Sequence, residues 1–454
     1  ANALGIPKSK IRVIKPRIGG GFGAKQTAVV ERFPAVVTWL TGKPSKIYYT
    51  REETMIAGSA RHEMEVTVKL GAMKDGTIRA IEVHALSNTG AYGEHGPTTI
   101  GLVGHKSIPL YSGKYEAFRF VANTVYSNHP SAGAYRGYGA TQGVFAMENT
   151  VNLMAHKLGI DPVKIREHNM LHEGDIMTAY NNETANACAL DQCMARCKEM
   201  MDWDSKFPAK TLPNGHIRSV GVAMAMQGSC ISFVDEANVT IKMNDDGFYS
   251  LLVGSTDMGT GSDTILAQMA ADVLECDLDD VVTYGVDTDT SPYDSGSYAS
   301  STTYLTGNAV VKAAEQLRQN ITEQAAKRLE CPKDEVAFDG KVLTCVSTGS
   351  SITLKDLANQ LQGGTEGWQS VTAGGNSPVS PPPYMVGMAE IDVDPETGKV
   401  VPIKYTACVD CGTVVNPNLA RVQTEGGLMQ GLGMALYEGQ NYNGAGFNRM
   451  RNLM

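Results

Sequence analysis

In the stretch Gly19-Gly20-Gly21-Phe22-Gly23-Ala24-Lys25-Gln26, the main chain rather than the side chains could do the chemistry. Glycine has no Cβ, so backbone N–H groups there can close on an anionic or acceptor-rich ligand. A second such stretch is Ala134-Tyr135-Arg136-Gly137-Tyr138-Gly139-Ala140-Thr141-Gln142, which adds a cation and flat aromatic surface. The first stretch follows residues 11–18, whose alternating apolar positions predict a strand. It precedes an apolar run from Thr27 to Leu40 that predicts a helix interrupted by Pro34. Strand, glycine loop and helix in that order would set an anion at a helix N-terminus.

Two nucleotide motifs compete for the first loop. Gly19, Gly21 and Ala24 fit a dinucleotide fingerprint, yet no acidic residue ends a second strand about twenty positions on. A P-loop is ruled out because Lys25 is followed by Gln26 instead of serine or threonine. A tight strand-to-helix turn without a ligand stays open beside them.

Composition bounds the choices. A chain of 454 residues can hold two to four well-buried domains, and 19% charged with 42% hydrophobic residues describes an ordinary globular protein. A net charge of -9 argues against nucleic acid as a partner. No apolar run approaches the roughly 20 residues needed to span a bilayer, so no membrane partner is expected and the cytoplasm is the expected location. The nine cysteines are scattered as free thiols in a reducing compartment would be. Cys408 and Cys411 form a CxxC pair without a second pair, and Cys188, Cys193 and Cys197 have helical spacing; both sets read as packing.

Around these loops the chain shows three hairpins: residues 64–70 with 77–86 across Asp75-Gly76, 238–243 with 248–253 across Asp246-Gly247, and 388–393 with 400–409 across residues 395–398. Each leads into a glycine-bearing stretch, as if loops from separate sheets served one extended ligand. Residues 104–126 read as strand. Helices are expected over 141–158, with Val144, Phe145, Val151 and Met154 as its apolar positions, over 265–274 and over 309–329, and another is capped by Asp161-Pro162. Residues 219–226 read as a strand, 362–383 as a loop or linker, and the segment through Gln423, Glu425 and Gln430 as helical. The polar composition after Leu171 places a domain boundary near residue 200.

Five stretches in order, GGGFGAKQ (19–26), AYRGYGATQ (134–142), GSTDMGTGSDT (254–264), DSGSYASSTT (294–303) and DCGTVVNPNLARVQTEGGLMQGLG (410–433), carry a further signal. Together they resemble the molybdenum-binding large subunit of the xanthine dehydrogenase and aldehyde oxidase family of molybdenum hydroxylases, nearly end to end. The resemblance implies an α+β fold: two elongated mixed α/β domains of hairpins, mixed sheets and packed helices, at 1–200 and 201–454, with the cofactor between them. The first would be incomplete at its N-terminus and the second at its C-terminus. It also implies a molybdopterin cofactor with molybdenum, in the cytosine dinucleotide form.

Carried over residue by residue, the resemblance puts Phe22 and Gly23 beside the metal and Ala134, Tyr135 and Arg136 against the cofactor. Met258, Gly259, Thr260, Ser300 and Gln423 would bind the pterin and its tail, with Thr260 standing where the family commonly has glutamine. The metal would be held by the cofactor and by no side chain of the protein. Tyr138 and Phe233 would meet a flat substrate, with a core position as the lesser alternative for Phe233. Gln26 falls where purine hydroxylases carry a glutamate; an amide donates and accepts but bears no charge, which argues against a purine.

The implied reaction oxidises a flat nitrogen heterocycle, or an aldehyde, with oxygen from water. Electrons would leave through 2Fe-2S clusters to FAD on partner subunits, because no cysteine spacing here supplies a cluster. The family's general-base glutamate is expected beyond Met454 and a glutamine near the metal before Ala1. The chain is therefore expected to be a fragment or one part of a split subunit, inactive without the remaining large-subunit polypeptide. An NAD(P)-binding dehydrogenase domain and a non-catalytic cofactor-binding scaffold are the alternatives.

Overall fold

Asp75 and Gly76 turn the first hairpin: the Asp75 carboxylate accepts the Thr77 N–H at 2.9 Å, and Gly76 takes the left-handed φ of 91° that the turn requires. The computed structural model, which describes residues 1–440, divides into two units, each assembled from segments distant in sequence. One comprises Ala1–Gly21, Gly228–Pro381 and Thr413–Gln423; the other comprises Phe22–Gln227, Pro382–Gly412 and residues 424–440. Both mix helices with sheets, as an α+β fold does.

In the second unit the strands Glu63–Ala72 and Ile78–Asn88 pair antiparallel, and Ala117–Val125 joins the latter in parallel. A separate antiparallel sheet runs in the order Val400–Asp410, Tyr384–Val393, Ile217–Met226, Lys210–Thr211. Ile78, Ile81 and Val83 on one sheet, Met224, Val386 and Met388 on the other, and Met147 and Val151 of the helix Ala140–Leu158 share one dry core. Each fully buried side chain of this size is worth about 1.5–3 kcal/mol. The helix Pro162–Asn169 starts as its sequence predicts, with the Asp161 carboxylate accepting the Val163 N–H at 2.7 Å.

The first unit is built on the sheet Val281–Tyr284, Tyr249–Val253, Glu236–Met243, Ser370–Asn376, parallel at its first pair and antiparallel at the others. Across it lies the helix Gly307–Leu329, which buries Val310, Ala313, Ala314, Leu317 and Ile321 at the spacing of one helical face. The helix Ser262–Leu274 completes that core through Leu266, Ala270 and Leu274. Among the described residues no helix is long and apolar enough to cross a membrane.

All three hairpins and the helices expected near 141–158, 265–274 and 309–329 are present. Several expectations are corrected. Residues 11–18 form no strand, only a bridge from Ile14 to Asp287. The first helix starts late, at Arg32–Thr41, so Pro34 falls in its first turn, where a missing N–H costs nothing.

The stretch 104–126 is strand only at Ala117–Val125, being preceded by the helix Gly96–Ser107. That helix packs backbone against backbone: a Cβ on Gly139 or Gly143 would overlap the main-chain oxygens of Thr99 and Val103. Residues 370–376, expected as linker, form an edge strand held by a full ladder to Glu236–Met243. Phe145, expected on the apolar face of its helix, is exposed, while Val151 is buried.

Candidate functional site

Within the second unit, the loop from Phe22 meets the loop from Ala134. Phe22 has φ 54°, an unfavourable conformation for a bulky residue, and its ring is exposed. Gly23 follows with φ 104°, and a Cβ there would stand 2.5 Å from the Ala134 main-chain oxygen. The two loops touch where only glycine fits. Gln26 closes the turn by donating its N–H to the Gly23 oxygen at 3.1 Å, leaving its own side chain exposed.

Arg61 organises the second loop. Its guanidinium donates to the main-chain oxygens of Arg136 at 2.7 Å and Tyr138 at 3.0 Å and to the Thr141 hydroxyl, and it lies 4.2 Å from the centre of the Tyr135 ring. Burial pulls its pKa down from the usual arginine value to about 10, and its Nε is buried without a hydrogen-bond partner among the described residues. Gln227 adds a donor to the Gly137 oxygen at 2.9 Å. Tyr138 is thereby held at φ 58°, with its hydroxyl on Nδ1 of His95. The guanidinium of Arg136 lies beside Gly427, 3.3 Å from the place of a Cβ.

Within the first unit, Gly19–Gly21 meets the loop after the second hairpin. Gly20 donates its N–H to the Met258 oxygen at 2.7 Å, and a Cβ on Gly21 would meet the Met258 sulfur at 2.5 Å. Asp257 shapes the rest of that loop: its carboxylate accepts the N–H groups of Gly259 at 2.8 Å, Thr260 at 3.1 Å, Gly261 at 3.3 Å and Asp263 at 3.1 Å. Burial pushes the Asp257 pKa up, but those N–H donors and Lys15 together outweigh it, and the net shift is downward. The amides of Gly259 and Thr260 are thus already spent on Asp257. These residues can still offer a ligand their carbonyls and the exposed Thr260 side chain.

Thr256 donates its N–H to the Ser297 hydroxyl at 2.6 Å, tying this loop to the one that carries Ser300, which is exposed at φ 57°. The Tyr298 hydroxyl donates to Asp235 at 2.8 Å, linking the same loop to the turn of Phe233. Phe233, at φ 61°, is 70% exposed, which removes the reading of it as a core residue. Gln423 lies half-buried on the helix Pro417–Leu436, whose Leu419 packs at Gly261 and whose preceding Asn416 donates to Gln268 at 3.0 Å.

Phe22, Tyr138, Phe233 and Ser300, all named from sequence, hold left-handed backbone conformations that cost on the order of 1–3 kcal/mol each. Sequence reasoning missed Arg61, His95 and Asp257. Asp257 left a signal, an aspartate opening a turn of small residues and glycines. Arg61 left none, since it acts through carbonyls more than 70 residues away.

The donor set suits an acceptor-rich planar ligand: glycine at the close approach of Gly23 to Ala134, half-buried guanidinium groups and exposed rings. Gly23 could not be alanine without moving the Ala134 main chain, and among the described residues Arg61 retains an unpaired buried nitrogen. The dinucleotide reading finds no support in the geometry, because the glycine loop has no strand before it and its helix starts only at Arg32. Among the described residues no group of three or more His, Cys, Asp or Glu is placed to hold a metal ion. Cys193 and Cys197 are core residues, their thiols pushed up by burial to about 12 and about 11; Cys408 packs against the same core, and Cys411 is exposed.

Models of molybdopterin cofactor-binding domains match residues 1–170 and 196–454. The chain is 38% identical over 467 residues to the probable hypoxanthine oxidase XdhD of Escherichia coli (strain K12), covering all of this chain and 48% of that protein. It is 34% identical over 451 residues to the putative xanthine dehydrogenase molybdenum-binding subunit XdhA of the same organism, covering 96% of this chain and 59% of that one. The chain thus spans about half the length of the curated relatives it matches. Its fold is similar to that of quinoline 2-oxidoreductase from Pseudomonas putida 86, with a TM-score of 0.88 at 22% identity, covering 99% of this chain and 60% of that structure.

Proposed function

The chain belongs to the molybdopterin cofactor-binding family of molybdenum hydroxylase large subunits, and from that premise we propose that it forms the cofactor-holding and substrate-facing parts of an enzyme oxidising a flat nitrogen heterocycle with oxygen from water. Aldehydes are the second substrate class. The observation that carries the reading is the loop contact of Gly23 with Ala134, beside a loop whose strained backbone Arg61 holds through the carbonyls of Arg136 and Tyr138.

In this reading Phe22, Gly23, Ala134, Tyr135 and Arg136, with Met258, Gly259, Thr260, Ser300 and Gln423, hold the pterin cofactor in its cytosine dinucleotide form. When bound, that group supplies the oxidising centre. Residues of this chain orient and enclose: Tyr138 and Phe233 take the faces or edge of the ring, and Gln26 offers an amide to ring nitrogens or carbonyls. Hypoxanthine and xanthine, which appear in the names of the two relatives, fall within the class, and a neutral amide can still pair with them. The family-domain boundary is proposed near residue 200, giving 1–200 and 201–454, a division by sequence that is distinct from the two interleaved compact units of the fold; the spans of the two family models support it.

A 2Fe-2S subunit, an FAD subunit and further large-subunit sequence are the proposed partners, and the cytoplasm the proposed location, which the nine free cysteines favour. Elemental and pterin analysis of the native protein tests the reading, with molybdenum and pterin expected. Neither present, together with saturable NAD(P) binding, would overturn it in favour of a dehydrogenase. Phe233→Ala should weaken binding of aromatic substrates by on the order of 1 kcal/mol and leave small aldehydes unaffected.

A further inference from the structure

We propose that His95 is a positioning residue for Tyr138, fixing the orientation in which that ring meets an aromatic substrate. The inference rests on the reading of Tyr138 as substrate-facing and adds the residue through which that role is controlled. His95 occupies the N-cap of the helix Gly96–Ser107, where a polar side chain ordinarily accepts an N–H of its own helix. It makes no such capping bond. Its Nδ1 is engaged with the Tyr138 hydroxyl, and its ring meets the Tyr138 ring edge-on, with centroids 5.6 Å apart and planes at 77°.

The hydroxyl is reached from a second side by Thr98 Oγ1 at 3.3 Å, one turn along the same helix. The segment bearing His95 is itself anchored: the Glu94 oxygen lies 3.2 Å from His62 Nε2, and the Glu94 carboxylate 3.4 Å from the Thr27 hydroxyl, next to Gln26. Both His95, at φ 56°, and Tyr138, at φ 58°, sit in the left-handed region, so each end of the tie is held in a conformation that free chains avoid. A phenylalanine at 138 would keep the aromatic face and lose the tie. The hydroxyl therefore sets ring orientation, which matters for flat substrates and not for small aliphatic ones.

The test is a double-mutant cycle in the full-length, cofactor-loaded enzyme that carries this chain, with quinoline, hypoxanthine and acetaldehyde as probes and equilibrium binding of quinoline as a second readout. His95→Ala and Tyr138→Phe should each raise KM for the two heterocycles, and the quinoline Kd, about three- to tenfold, the worth of one hydrogen bond, and in His95→Ala the kcat and the acetaldehyde KM should not change. His95→Ala in the Tyr138→Phe background should add nothing. His95→Asn should restore binding, because asparagine tolerates the left-handed backbone and places an amide where Nδ1 was. Additive effects, or an equal change for acetaldehyde, would overturn the inference. If Tyr138→Ala raises the heterocycle KM but His95→Ala does not, the inference alone fails; if Tyr138→Ala leaves KM unchanged, the substrate-facing reading fails and the inference falls with it.

Discussion

Gly23 and the main-chain oxygen of Ala134 are so close that a single methyl on the glycine would stand 2.5 Å from that oxygen. The glycine also has φ 104°, outside the range side-chain-bearing residues favour. Gly23→Ala should therefore push the two loops apart, at a cost of about 1–3 kcal/mol in stability and with loss of bound molybdenum. Gly19→Ala is the control: a Cβ there meets nothing within 4 Å. Wild-type molybdenum content and melting temperature in Gly23→Ala would show that the close approach is not required.

Asp257 accepts four main-chain N–H groups from the loop that carries Gly259 and Thr260. Asp257→Ala leaves them without their acceptor, with an expected loss of about 1–3 kcal/mol and faster amide exchange over residues 259–263. Asp257→Asn, which keeps one oxygen, should lose less. Because the folded pKa is lowered, the carboxylate's contribution is complete above about pH 4 and fades as pH falls through the folded value. Unchanged exchange in Asp257→Ala would remove Asp257 as the organiser of the loop.

The sequence reveals much of this frame because hairpins and amphipathic helices are local. Asp75-Gly76 and Asp246-Gly247 announce their turns, and Val310, Ala313, Leu317 and Ile321 announce a buried face. The glycine loops are visible as glycine and take their roles from resemblance. Tertiary pairing is not visible: residues 370–376 look like linker, and become a strand only because Glu236–Met243 offers an edge. The helix Gly96–Ser107 hides because its own Gly96, Gly101 and Gly104 weaken any helical signal, and its stability comes from close packing on Gly139 and Gly143, which is tertiary. Arg61 and His95 act on residues 136 and 138 across the fold, and no local pattern marks such a contact.

In the core of the second unit, Glu148 accepts from Arg166 Nε at 2.8 Å, from the Met224 N–H at 2.7 Å and from the Tyr111 hydroxyl, with the Arg166 side chain fully buried. Glu148→Gln keeps the shape but leaves the Arg166 charge uncompensated, so a loss of about 3–5 kcal/mol in denaturant unfolding is expected. Replacing both residues by methionine should recover most of it. A double variant as unstable as the sum of the single ones would mean that the pair is not coupled.

His105 stacks on Tyr180 with centroids 4.4 Å apart and planes at 10°, next to the buried Lys106, whose Nζ donates to the Tyr180 hydroxyl at 2.9 Å. Burial, and then the Lys106 charge, push the imidazole pKa down to about 4 from an ordinary 6.5. The unfolded chain therefore binds this proton more readily than the folded one does, and stability gained from the neutral ring is complete above pH 6.5. It is lost as pH falls from 6.5 towards 4. The full shift would amount to at most roughly 3 kcal/mol, and less because the ring is only half-buried. His105→Gln removes the titration, so urea unfolding of the two proteins should diverge across this window and run parallel above it. Parallel curves down to about pH 4.5 would show that His105 titrates normally in the folded protein.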